Sequence, residues 1–147
     1  MLPFVLTLIK KYETNVPDAI AEYLNVSVTR VALPLSVAGA YAKVGPKKVI
    51  LINNQYDKDK QNVALAHELG HYLLNHGDVH TVAAHLLSND AKDKQELQAN
   101  KFAFLLIAHT CLRNSPLMID AIRDERLLTL DDTTFLLKHF ERTACYR

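Results

Sequence analysis

At 147 residues, with 49% hydrophobic and 22% charged side chains, the chain has the composition of an ordinary globular protein and enough length for one sizeable core. Lys plus Arg number 17 against 16 Asp plus Glu, so nothing in the charge drives binding to a polyanion, and no direct contact with nucleic acid is expected. Cys111 and Cys145, widely spaced and without a CxxC pattern, read as free thiols in a reducing compartment, which points to the cytoplasm.

The first element, MLPFVLTLIKK, has an apolar start but lacks a basic lead and a small-residue cleavage site, and it is too short to cross a bilayer. It reads as a helix docked on the core, with no membrane association expected. In TNVPDAIAEYL, Asn15 is a cap candidate, Pro17 falls in the first turn and Asp18 stands beside it, which is helix-start chemistry. VSVTRVAL, VAGAYAKV and KKVILINN are short β-branched runs separated by Pro34-Leu35 and Gly45-Pro46, and they predict a small sheet of about three strands. YDKDKQNVALAHELGHYLLNHG predicts a long helix from cap candidates Asp57 and Asp59 to a stop at Gly77.

A looser stretch, DVHTVAAHLLSNDAKD, open to being helical in part, precedes a further helix in KQELQANKFAFLLIAH. SPLMIDAIRDERLL and LDDTTFLLKHFERTA predict two more, opened by Ser115-Pro116 and Asp131-Asp132. Helices, a small sheet, then helices alone is an α+β order rather than alternating βαβ units. The expectation is one domain over residues 1–147, with the sheet packed on a central helix.

The central helix carries the chemistry. In ALAHELGHYLLNH, His67 and His71 are 40° apart around a helix and one turn apart along it, so both imidazoles can reach one ion while Glu68 projects from the edge of that face. Two neutral imidazoles that ligate, beside a carboxylate that does not, is the zinc-hydrolase arrangement. The ordinary alternative is a pair of hydrogen-bonded core histidines. Against it, Leu65, Ala66, Leu69 and Leu73 cover the opposite face, with Val63 and Leu74 on a flank, so the helix must be central. An unpartnered imidazole buried there costs on the order of 2 kcal/mol or more per polar group. Gly70 in mid-helix costs ~1 kcal/mol relative to Ala and signals the close approach of another backbone.

Catalytic zinc usually takes three protein ligands and keeps one position open. Downstream candidates for the third are His76, His80, His85, Asp90, Asp93, Glu96 and His109. Glu96 fits its context best, because Glu96 and Asn100 share a face at i, i+4 and Ala99 and Ala103 flank it, small enough for close helix approach. Asn100 is then placed to orient His67 or His71 from behind through the nitrogen that does not ligate.

With these motifs the chain resembles the ImmA/IrrE family of bacterial and phage metallopeptidase-like proteins, through VILINNQYDKDKQNVALAHELGHYLLNH and ELQANKFAFLL. The resemblance covers roughly residues 48 to 106 and rests on two motifs that are specific together. It implies a zincin-like fold, metal ligands at His67, His71 and Glu96, Zn2+ as the metal, and a catalytic glutamate at Glu68. Two departures stand out: LLIAHTCLRNSP where the family often has a Leu-Met-Pro-like sequence, and no room for the fused helix-turn-helix domain many members carry.

Residue chemistry alone reaches as far as a peptide or amide hydrolase, in which Tyr72, His76 or His80 is available as oxyanion donor and Tyr72 points away by helical phase. KVILINN, just before the active helix, is the expected edge for an extended peptide to join. The resemblance extends the expectation to a zinc-dependent endopeptidase acting on a protein substrate, a helix-turn-helix repressor of a phage or mobile element. The alternative is a non-hydrolytic, metal-stabilised regulator that sequesters such a partner. An intact Glu68 favours the enzyme, because a binding module has no use for a non-ligating carboxylate there. Nothing in the sequence sets an oligomeric state.

Overall fold

The computed structural model describes residues 1–76 and 89–109, apart from the side chains of Leu2 and of residues 89–93. Within them the order is α1 (Leu2–Tyr12), α2 (Pro17–Tyr23), β1 (Ser27–Val31), β2 (Gly39–Val44), β3 (Lys47–Asn53), α3 (Lys58–Leu73) and α4 (Asn89–Ile107). This is the α+β class expected. Gly77, His80, His85, both cysteines and the two last predicted helices lie outside the described residues.

The sheet has order β1-β3-β2, with β1 parallel and β2 antiparallel to β3. This corrects one expectation. KVILINN is the middle strand and has no open edge; the outer strands are β1 and β2. The run Val49-Ile50-Leu51-Ile52 gives the reason, since a near-continuous apolar stretch is what a strand with neighbours on both sides requires. Ile50 and Ile52 are fully buried, as is Tyr41 on β2. A two-residue loop joins Val44 to its partner Lys47, and Gly45 takes φ +59°, a left-handed conformation that glycine adopts without steric cost.

The segment between β1 and β2 is tied down by one side chain. Asn53, fully buried, donates through Nδ2 to the carbonyls of Leu33 (3.1 Å), Pro34 (3.1 Å) and Val37 (2.9 Å), and its Oδ1 accepts from the amides of Leu33 and Gln55. Its own backbone N–H bonds Ala38 O at 2.9 Å, which sets the start of β2 at Gly39.

The side chain of Asp57 caps α3, accepting from Lys60 N at 2.8 Å, as the sequence suggested. From Val63 to His71 every residue of α3 is buried, so the helix is central. Val5 and Leu8 of α1, Ile20 and Ala21 of α2, and Phe102 to Leu106 of α4 complete the core around it. Asn15 does not cap α2, whose cap residue is Val16. Its Nδ2 instead donates to Leu106 O at 3.1 Å, in the last turn of α4. α4 is already helical at Asn89, inside the looser stretch that was open to being helical in part, and Glu96 lies about two turns further on.

Candidate metal centre

The last two turns of α3 and the facing part of α4 bring His67, His71 and Glu96 together, with one ligand atom from each inside a 4.8 Å span. Nε2 of His67 and Nε2 of His71 are 3.0 Å apart. Glu96 faces both, with Oε2 at 3.1 Å from His67 Nε2 and Oε1 at 3.1 Å from His71 Nε2. Three donors at 2.0 to 2.2 Å from one tetrahedral zinc stand roughly 3.3 to 3.5 Å from each other, so the observed triangle accepts the ion with a spread of a few tenths of an ångström. Two imidazoles and a carboxylate are also a donor set of catalytic zinc. Among the described residues this is the one group of three or more His, Cys, Asp or Glu arranged to hold a metal.

Close approach of α4 makes the triangle. A Cβ on Gly70 would lie 3.0 Å from Phe102 Cδ1 and 3.3 Å from the Cα of Ala99, so the small residues read from the sequence are where the two helices touch. Glu96 stands one turn before Ala99. The carboxylate is thereby carried over the paired imidazoles.

The charges of the site are strongly coupled. Burial works against a charged His67, but its hydrogen bond to Glu96, the nearby charges of Glu68 and Glu96, and Asn100 outweigh burial and raise its pKa. Burial acts upward on Glu96 too, yet the hydrogen bonds and charges of His67 and His71 hold it well below the usual carboxylate range. Both shifts describe a proton held between the imidazoles and the carboxylate, which a metal would have to displace.

Glu68 differs from these three. It is 6% exposed, and its Oε2 meets no hydrogen-bond donor among the described residues. Burial, with a smaller contribution from Glu96 and opposed by His67, pushes its pKa up to about 7. A buried carboxylate of that pKa, adjacent to a metal triangle and outside it, is poised to exchange protons near neutrality. Strand β2 passes directly over it: a Cβ on Gly39 would come within 3.3 Å of Glu68 Cγ and 3.1 Å of Leu51 O. The sequence reading missed Gly39. VAGAYAKV marks it as a glycine inside a strand, a recognised sign of close backbone approach.

Asn100 is buried and sits beside His67, and its side-chain interaction with that imidazole is among the influences that raise the His67 pKa. The contact is looser than a full hydrogen bond, since Nδ1 of His67 has none of normal geometry among the described residues. Tyr72 points away from the triangle as helical phase predicted: its hydroxyl accepts from Lys48 Nζ at 2.9 Å, and its ring packs on Tyr41. His76 is not among the three donors of the triangle. Its Nδ1 lies 2.9 Å from Nδ1 of His71, on the side away from the triangle, and its Nε2 is 2.8 Å from Gln98 Oε1. Burial lowers the His76 pKa, which favours the neutral ring. Gln98 had no role in the sequence reading.

Comparison with known proteins agrees with this geometry. Residues 21–130 match the peptidase family described as the IrrE N-terminal-like domain, a wider span than the motifs alone covered. The chain belongs to that family. It is also similar to the uncharacterized immunity region protein 2 of Bacillus phage phi105, with 34% identity over 100 residues, 68% of this chain. The chain spans 63% of that phage protein's length. No solved structure matches significantly. The family is described as a peptidase family, and the relative is a phage protein. No helix among the described residues is long and apolar enough to cross a membrane.

Proposed function

We propose that the protein is a zinc-dependent endopeptidase in which His67, His71 and Glu96 hold the metal and Glu68 is the general base. The observation that carries this reading is the pairing of a three-donor triangle with a buried carboxylate that takes no part in it. Zinc held there would supply Lewis acidity, making a water more acidic and polarising the scissile carbonyl. Glu68 takes the proton of the attacking water at its carboxylate and returns it to the leaving amine. The buried surroundings that raise its pKa also keep bulk water from that carboxylate. Asn100 steadies the ring of His67 from behind.

The passage of Gly39 over Glu68 supports β2, rather than β3, as the strand beside which an extended peptide lies, since its outer edge has no strand partner among the described residues. The substrate proposed is a helix-turn-helix repressor in the cytoplasm. Family resemblance supports that choice, as does the phage relative, whose name places it in an immunity region.

The test is incubation of the purified, zinc-loaded chain with a helix-turn-helix repressor encoded beside it, followed by mass spectrometry. Wild type is expected to cut the repressor at a defined bond. Glu68→Gln is expected to retain zinc and cut nothing, because an amide of the same shape cannot accept the proton. Tight binding of the repressor without cleavage by wild type would replace hydrolysis with sequestration.

A further inference from the structure

The end of α3 is built to return the chain onto a metal-site histidine. Asn75 takes φ +57° just past the helix, a left-handed conformation in which Asn is second to Gly. Asn75 N then bonds Tyr72 O at 3.2 Å and His76 N bonds His71 O at 3.0 Å, the paired bonds of a Schellman turn. Such turns usually bring two apolar side chains together at the positions occupied here by His71 and His76. Here they bring two imidazoles together, Nδ1 to Nδ1 at 2.9 Å, both rings buried.

Only one arrangement of protons satisfies every contact in this row once His71 ligates through Nε2. That nitrogen must present its lone pair to the triangle, so the His71 proton sits on Nδ1 and is donated to Nδ1 of His76. The acceptor nitrogen of His76 then carries no proton, which leaves Nε2–H to donate to Gln98 Oε1 at 2.8 Å. Gln98 lies on α4, two residues beyond Glu96. The row therefore runs from one ligand across to the helix that brings the third.

We infer that His76, backed by Gln98, is a positioning residue that fixes the tautomer and ring orientation of His71 and braces α3 against α4. The inference rests on the proposed role of His71 as a metal ligand. Loss of a hydrogen-bond partner behind a ligating histidine typically costs about 10- to 100-fold in metal affinity. Asn100 beside His67 and His76 beside His71 would thus give each imidazole its own support.

The experiment compares zinc affinity, by chelator competition, for wild type, His67→Ala, His76→Phe, His76→Asn and Gln98→Leu. The tautomer of His71 is read in the zinc-loaded proteins by nitrogen-15 NMR. His76→Phe should weaken zinc binding about 10- to 100-fold, and His71 should lose its uniform Nδ1–H form. His76→Asn keeps an acceptor where Nδ1 stands and should recover much of both. Gln98→Leu, at a half-buried position that threatens the fold less, should change both in the direction of His76→Phe but less. If His67→Ala binds zinc as well as wild type, the metal reading itself fails. If His67→Ala loses zinc while His76→Phe and Gln98→Leu keep wild-type affinity and an unchanged His71 tautomer, the positioning role is overturned.

Discussion

Replacing Gly70 with alanine sets two opposed effects against each other in the place where the metal-site geometry is made. In an isolated helix alanine is better than glycine by ~1 kcal/mol, so Gly70→Ala would ordinarily stabilise α3. Here the new methyl would lie 3.0 Å from Phe102 Cδ1 and 3.3 Å from both Phe102 Cβ and the Cα of Ala99. Carbon pairs prefer about 3.5 to 4.0 Å. Phe102 is fully buried and Ala99 Cα is backbone, so neither yields alone and α4 must back away by a few tenths of an ångström. Overpacking of that size costs about 1 to 3 kcal/mol, which outweighs or cancels the helix gain. The net expectation is a change between none and a loss of about 2 kcal/mol. The same retreat carries Glu96 off the imidazoles, and metal sites tolerate errors of only about 0.2 Å in ligand distance. Zinc affinity should fall on the order of 10-fold, the low end of losses from disturbed ligand support. Urea denaturation of the metal-free protein measures the first quantity and chelator competition the second. A variant about 1 kcal/mol more stable than wild type, with unchanged zinc affinity, would refute the claim that this contact sets the spacing.

Glu68→Gln should stabilise the metal-free protein at high pH. The carboxyl is raised on folding from its ordinary 4.5 to about 7, so the folded state prefers the protonated form and loses stability as pH climbs through that window. At ~1.4 kcal/mol per unit the variant should gain about 3 kcal/mol over wild type at pH 8 and nothing at pH 4, measured by denaturation in chelator. An equal difference at both pH values would show that Glu68 carries no such shift. Asn100→Ala should bind zinc about 10- to 100-fold more weakly than wild type, yet better than Glu96→Ala, which removes a ligand outright. Unchanged affinity would leave Asn100 a packing residue. Asn53→Ala leaves three carbonyls and one amide of the β1–β2 segment, and the amide of Gln55 after β3, without their side-chain partner, and should cost about 2 to 4 kcal/mol in urea denaturation.

The pairing of His67 with His71 was legible in the sequence because helical periodicity decides it, whereas Glu96 was chosen from seven candidates by its context. Residues at i and i+4 must share a face, and Gly70 with Ala99 had to mark a helix contact. The class of the fold was legible for a similar reason, since β-branched runs and capped helices announce themselves locally. Strand order was not. β3 directly precedes the active helix, and proximity in sequence suggested an edge, whereas its unbroken apolar run called for neighbours on both sides. The row His71–His76–Gln98 was also hidden, because it depends on a left-handed residue at Asn75 and on the angle at which α4 crosses α3. Neither is encoded in periodicity. Asn15 was misread because it lies beside a helix start in sequence but at a helix end in space.

The central claim is that one metal ion joins His67, His71 and Glu96. Anomalous diffraction across the zinc edge, from crystals of the zinc-loaded protein, addresses it directly. The account predicts a single strong peak about 2.0 to 2.2 Å from Nε2 of His67, Nε2 of His71 and a carboxylate oxygen of Glu96, with Glu68 outside bonding distance. A peak that engages Glu68 in place of Glu96, or that lies away from the two histidines, would contradict it.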